Sequence, residues 1–545
     1  MRHMKTSITL LVGITILCPT FSSAQAPYQQ GLDAVNGHAI KGTMSFLADD
    51  LLEGRKPGTR GFALASKYVE SQFVSLGLLP AGENNTYVQK VPLVKGSVIP
   101  KRSSLVFYDE STNEEWTYER DYLLNPYFFG AQSKVDAPIE FVGFGISAPE
   151  LGYDDYQGLD VKGKVVLFIE QAPETFGNNE RAYFTSAAVK HQEAEKRGAI
   201  GAMSIALASR YPWDATVARA ATGQFRWVAA DGNAGNSYAS LRALATLQPD
   251  KAIAFFKGMD KDLEQLYQQL LSGKTQSFTV PYRAKVEVST ETEAVESQNL
   301  IGLIPGSDPI LKDEYIVYAA HVDHFGIGRA VDGDSIYNGA HDNASGVAIV
   351  LQTAKAFQQL KIAPKRSIIF AVVTAEESGL LGSDYFANNP TVKGKMVANL
   401  ALDMPFFFHP VLDIVPYGAQ HSSLNKEVTQ AASVLQLDIS PDPFPQQVVF
   451  IRSDHFSFIK QGIPSLFIKS GFKTVASDTV DRSKSDVAWR TEVYHTPKDD
   501  MNQAFDFDGA ATHAKLNFLI GYFIADTLEV PQWNKGDFFG DRFRK

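Results

Sequence analysis

Five short segments of this 545-residue chain concentrate imidazoles and carboxylates. They are His321-Val322-Asp323-His324, Gly339-Ala340-His341-Asp342-Asn343-Ala344-Ser345-Gly346, Thr374-Ala375-Glu376-Glu377, Asp403, and Tyr494-His495-Thr496-Pro497. Together they offer imidazoles, carboxylates and a spare glutamate, and no thiol. That inventory suits the hydrolysis of a peptide bond by a pair of metal ions ~3.5–4 Å apart, which hold and acidify a water and clamp the oxyanion that forms. Such a pair needs a bridging carboxylate, further ligands for each ion, and a separate base to move the proton. Nitrogen and oxygen ligands without cysteine suit zinc, with cobalt or manganese as substitutes. A lone histidine near a strand end is more often a hydrogen-bonded structural residue, and His38, His191, His409, His421 and His513 are read that way. His324 and His455 lie beside the set and stay open.

The elements that must position these residues are legible as apolar runs. Residues 299–304, 314–320, 366–373 and 398–402 are short, rich in Val, Ile, Leu or Ala, and bounded by polar or Gly/Pro punctuation; 465–468 is a fifth. Between several of them lie helical stretches, the clearest over residues 345–360. Continuously apolar strands alternating with helices predict an α/β fold with a mostly parallel sheet covered on both faces. Chemistry in such sheets sits at the carboxyl ends of the strands, where these motifs fall. Upstream, helices are expected over 38–51 and 61–76, joined by the turn-rich Glu53 to Thr59. From about residue 134 the texture changes to short strands over 138–146 and 164–170, with an apolar run at 199–206. Residues 217–277 read as loop plus helix.

The order His-x-Asp, Asp-Asn-Ala-Ser-Gly, Glu-Glu, Asp, Tyr-His-Thr-Pro resembles the M28 family of zinc aminopeptidases, and Arg452-Ser453-Asp454-His455 looks like one of its signatures. Phe46-Leu47-Ala48-Asp49-Asp50-Leu51-Leu52-Glu53-Gly54-Arg55 resembles the family's N-terminal helix and turn. The resemblance implies a zinc-exopeptidase fold and two zinc ions per chain. Asp342 would bridge them, His321 and Asp403 would complete one position, and Glu377 and His495 the other. Glu376 would be the general base acting on a metal-bound water. Asp323 would accept the second ring N–H of His321, and Tyr494 would donate to the tetrahedral intermediate. The resemblance also implies a protease-associated, β-rich insert. The expected organisation is a signal peptide over 1–24, the first part of the peptidase domain over 25–133, the insert over 134–288, and the main peptidase part over 289–545. His341 stands where many relatives carry a small or acidic residue. Its side chain should diverge from that of Asp342, so it is left out of the ligand set. Phe406 to Phe408, more aromatic than the usual run, are read as core before pocket.

The bulk numbers bound the rest. A formal charge of −10 argues against nucleic acid as a partner. Arg2 and Lys5, the apolar run 8–18 and Ser22-Ser23-Ala24 read as an export signal, leaving a periplasmic or extracellular protein without a stable membrane anchor. Cys18, the only cysteine, would be removed with it, so neither disulfides nor thiol chemistry is expected. The absence of a G-x-S-x-G elbow and of an H-E-x-x-H helix disfavours serine-hydrolase and single-zinc helix alternatives. Peptides cleaved at the N-terminus are the expected substrates. A carboxypeptidase of related fold, with Arg452 as the basic residue nearest a motif, and a non-catalytic receptor-like protein are carried as alternatives. A single-zinc glutaminyl cyclase is disfavoured by the full ligand set. Oligomeric state and side-chain preference are not specified by these residues.

Overall fold

The computed structural model describes residues 26–207, 212–447, 449–475 and 477–544. The export signal and Cys18 lie outside the described residues.

The first sheet contains β1 (Val88–Val98), β2 (Ser277–Ile304), β3 (Glu314–His321), β4 (Ser367–Val373), β5 (Lys395–Ala401), β6 (Asp413–Tyr417) and β7 (Ser465–Ser470). Their spatial order is β1-β2-β4-β3-β5-β7-β6. The central four strands, β4, β3, β5 and β7, run parallel, while β1, β2 and β6 join antiparallel. Every residue of β4 is buried, because helices cover both faces. Ile368, Phe370 and Val372 point into one core and Ile369, Ala371 and Val373 into another, the period of two expected of a strand. Burying each large apolar side chain contributes about 1.5–3 kcal/mol, so this doubly covered sheet is a stiff platform.

The larger core lies under α1 (Gly37–Leu47), α2 (Arg60–Ser75), α3 (Ser345–Gln358) and α4 (Phe507–Asp526). Helix α2 begins at Thr59, whose hydroxyl accepts from the Phe62 amide at 3.3 Å, and ends just before Gly77 at φ +71°. Helix α3 carries Val347, Ile349, Val350, Leu351 and Ala354 fully inside. The other face is closed by the short helices Leu381–Asn388 and His455–Ile459, through Phe386 and Phe458.

A second sheet comprises Ser104–Tyr108, Asn113–Trp116, Tyr122–Leu124, Gln132–Val142, Val165–Ile169, Gly201–Ile205, Ala243–Leu247 and the first half of β2. Its strands begin at Ser104, upstream of the expected boundary at 134: Ser104–Tyr108 pairs with β2, and Asn113–Trp116 pairs with Ser104–Tyr108. The expected boundary at 288 also falls inside an unbroken strand. β2 pairs with Gln132–Val142 over its first half and with β1 and β4 over its second, so one strand belongs to both sheets. The expected loop-plus-helix region contains two strands: Ala243–Leu247 in the second sheet, and Gln224–Trp227, which returns to the outer edge of β1. There Trp227 and Asn236 donate to Asp384 at 2.9 Å each, and Lys460 pairs with the same carboxylate. Among the described residues no helix is long and apolar enough to cross a membrane.

Candidate metal centre

The parallel register sets the site. His321 ends β3 opposite Val373 at the end of β4, and Ala319 lies opposite Ala401 at the end of β5. Glu376 and Glu377 follow β4 by three and four residues, and Asp403 follows β5 by two, so all four leave the same edge. Asp342 comes from the loop that opens α3, and His495 from the segment before α4.

The side chains converge. His321 Nε2 lies 3.3 Å from Asp342 Oδ1 and 3.7 Å from Asp403 Oδ1. His495 Nε2 lies 3.2 Å from Asp342 Oδ2 and 3.5 Å from Glu377 Oε2. The two oxygens of Asp342 thus face two different imidazoles, which a bridging carboxylate must do. His321 Nε2, His495 Nε2 and Asp403 Oδ1 are buried with no hydrogen-bond partner in the protein, and Glu377 Oε1 meets only the imidazole of His324. Ligand atoms ~2.0–2.2 Å from a tetrahedral ion stand about 3.3–3.6 Å apart, which is the spacing seen. Orphaned nitrogen and oxygen donors at that separation fit zinc at two adjacent positions.

Glu376 approaches the first position, its carboxylate grouping with His321 and Asp403. Burial raises its carboxyl well above the usual range, and Asp403, Asp454 and Asp342 push the same way. Glu377 is raised likewise, by burial and then by Asp342 and Glu376. Burial opposes ionisation of Asp342 too, but its contacts with His321 and His495 hold it well below the carboxylate range. Tyr494 stacks on the His495 ring with centroids 3.6 Å apart. Burial and the surrounding carboxylates keep its phenol protonated, hence a donor.

Asp323 departs from its expected contact. The second ring nitrogen of His321 meets the carbonyl oxygen of Asp323 at 3.1 Å, and so carries the proton, while the Asp323 carboxylate lies 3.9 Å away. That carboxylate turns toward β4 and accepts the backbone N–H groups of Glu376 and Glu377 at 3.1 and 3.4 Å. It thereby orders Glu376 and Glu377 rather than the imidazole. His341 does diverge from Asp342: its ring is enclosed by Phe406, Phe407, Phe408, Trp489 and Phe505, with centroids 4.9–6.0 Å away. His324 faces the second position, Nδ1 2.7 Å from Glu377 Oε1. His455 Nε2 contacts the Phe450 carbonyl oxygen at 2.6 Å, a structural role.

Three supporting residues escaped the sequence reading. Asp499, beside Asp500 in a polar stretch, is fully buried and accepts the amides of His341 and Asp342 at 2.8 and 2.9 Å. Arg55 is also fully buried and donates to four carbonyls, those of Leu47, Val322, Asn338 and Gly339, tying the N-terminal turn to both ligand loops. Burial lowers its pKa to about 10, against Asp323, Asp499, Asp342 and Glu377. Asn343 donates to the Leu402 carbonyl oxygen at 2.9 Å and accepts from Gly346 and Met404, clasping both sides of Asp403. Gly346 is required there: a Cβ would sit 2.2 Å from the Leu402 oxygen.

The family model described as peptidase family M28 matches residues 299–519, the segment carrying all five ligand candidates. Aminopeptidase NAALADL1 of Mus musculus is 32% identical over 142 residues, 25% of this chain and 17% of that protein. Aminopeptidase Y of Saccharomyces cerevisiae is 26% identical over 251 residues, 44% of this chain and 41% of that one. The chain therefore matches less than half the length of either curated relative. The solved aminopeptidase from Aneurinibacillus sp. strain AM-1 superposes with a TM-score of 0.53 at 21% identity, covering 92% of this chain and 97% of that one, a likeness of fold.

Proposed function

We propose that this chain, which carries an M28 peptidase domain over residues 299–519, is a two-zinc aminopeptidase that removes the N-terminal residue of peptides. The observation that carries the reading is Asp342 shared between two clusters of unpartnered donors: His321 and Asp403 on one side, Glu377 and His495 on the other. When bound, two zinc ions at these positions supply Lewis acidity and an activated water. Glu376 takes a proton from the attacking water and delivers it to the leaving nitrogen; its raised pKa suits both halves of that transfer. The phenol of Tyr494, kept protonated among carboxylates, donates to the oxyanion. Acidic side chains at the site hold the free α-amino group. The second sheet is read as the protease-associated insert, and the stretch between its strands Gly201–Ile205 and Ala243–Leu247 returns to β1, where Trp227 and Asn236 bond Asp384 of the peptidase part.

The test is hydrolysis of aminoacyl and N-acetylated aminoacyl p-nitroanilides with chelator and zinc add-back. Zinc-restored cleavage of only the free-amine substrates is expected. Glu376→Gln should lower kcat by about 10²–10⁴-fold while the protein keeps two zinc ions; an active Gln variant removes the assigned role. One observation favours a carboxypeptidase as second reading: a buried ammonium, Lys469, beside Asp403. Cleavage of N-acetylated peptides from the C-terminus, with free-amine anilides untouched, would select it.

A further inference from the structure

Lysine is almost never buried without a partner, because removing the ammonium from water costs several kcal/mol unless a carboxylate or several acceptors replace the water. Lys469 is 7% exposed. Its Nζ donates to the Met404 carbonyl oxygen at 3.1 Å and lies 4.8 Å from the centroid of the Phe467 ring. Among the described residues no carboxylate is within ion-pair distance of it. Arg490, the nearest further cation, is occupied by Asp486 at 2.9 Å.

Its position is set by the sheet. β7 runs parallel to β5 with Phe467 opposite Ala401, so Lys469 lies two residues beyond that pair on one strand as Asp403 does on the other. The carbonyl that it bonds belongs to the residue after Asp403. Met404, whose carbonyl it bonds, belongs with Phe406 and Trp489 to an apolar cluster that extends to Tyr494 and so to His495. An unpaired cation at the edge of an apolar wall, next to a ligand position, is what would receive an anionic group from a substrate bound there.

We infer that Lys469 determines specificity by pairing with the side-chain carboxylate of an acidic N-terminal residue, so that the enzyme prefers peptides beginning with Asp or Glu. The inference rests on the aminopeptidase reading. The scissile carbonyl sits at the metal positions, and the first side chain, one carbon away, reaches the wall beside Asp403.

The experiment compares kcat/KM of the zinc-loaded full chain for α-aspartyl, α-glutamyl, leucyl and lysyl p-nitroanilides, beside N-acetyl dipeptides ending in Glu. The acidic anilides should exceed the leucyl one by about tenfold or more, and Lys469→Met should reduce the glutamyl-to-leucyl ratio by about 10–100-fold. Lys469→Arg should keep the acidic preference. Zinc-dependent cleavage with leucyl or lysyl favoured overturns the inference and leaves the aminopeptidase reading standing. Silence on all free-amine anilides in a protein holding two zinc ions overturns both. Release of Glu from the N-acetyl dipeptides alone gives Lys469 a C-terminal carboxylate instead and overturns the inference as stated. Should Lys469→Met fail to fold, the wild-type ranking still decides.

Discussion

Both sheets bury charge, and they treat it in opposite ways. In the second sheet's core Lys190 is enclosed between the rings of Phe144 and Phe168, each 5.5 Å away, and donates to the carbonyls of Phe144 and Gln171. Nearby, one oxygen of Asp155 accepts the amides of Phe144 and Ile146 at 3.0 and 3.1 Å. Lys190 and one Asp155 oxygen are answered by backbone close at hand, and those bonds hold a turn together. At the edge of the first sheet His321, Asp342, Glu377, Asp403 and His495 instead turn ligand atoms toward one another, with His321 Nε2, His495 Nε2 and Asp403 Oδ1 left unbonded, while most backbone bonds belong to the shell behind them. Buried polarity closed by its own backbone is structural; buried polarity left open and convergent is where a cation and a substrate fit.

The strongest way to break that contrast is Asp342→Asn, which removes charge from both positions at once. Zinc content should fall toward zero and kcat/KM by at least about 10³-fold, checked by metal analysis alongside anilide cleavage. Retention of two zinc ions would mean that Asp342 is not shared. A smaller loss is expected from His324→Gln. His324 contacts Glu377 at the second position and groups there with Asp342, so zinc should be lost about 10–100-fold more readily during competition with a chelator.

The second sheet should answer differently. Lys190→Met should leave zinc content and kcat untouched and change only the pH dependence of stability. Burial lowers the Lys190 pKa from 10.5 to about 7, so between these values the unfolded chain holds a proton that the folded chain has released. Stability from this group therefore rises with pH across that window, and its penalty is fully present below about 7. Urea midpoints from pH 7 to 10 should climb less steeply in the variant. The smallest effect belongs to His341→Phe: stability should shift by under about 1.5 kcal/mol with zinc retained, because the ring already fills an aromatic box as an apolar group would. Loss of a zinc ion would instead give His341 a ligand role.

The sequence reading worked best where burial is continuous. The runs at 314–320, 366–373 and 398–402 correspond within a few residues to β3, β4 and β5, since a strand covered on both faces must be apolar at every position. The helices expected over 61–76 and 345–360 are α2 and α3. Asp413–Tyr417 was missed, being a short strand with Pro416 and Asp413 inside it. β2 defeated the pattern for another reason. Its stretch 291–294 is exposed and polar where it passes between the cores, so it reads as a boundary although the chain stays extended. Asp499 and Arg55 were misplaced because their partners are distant: the amides that Asp499 accepts lie 157 and 158 residues away, and Arg55 reaches Val322 across 267. Local polarity tells nothing about such pairs. His321, Glu377 and Asp403 stood out because each closely follows an apolar run, which places a polar side chain where the fold is stiffest, whereas Asp342 and His495 were legible only through the motifs around them.

β2 also constrains how the molecule can move. A joint between two bodies usually works at a linker that gives up little when it bends, whereas here the beam between them is a 28-residue strand, hydrogen-bonded along both halves. Antiparallel to it, β1 stays paired from Val88 to Val98 and stiffens the same span. Flexing that beam would break ladder bonds, so the two halves should swing as one lever rather than open like jaws. The lighter part beside the cleft is the hairpin of Gly326–Val331 and Asp334–Tyr337, which hangs on Phe325 against the His495 ring and pairs with no other sheet among the described residues.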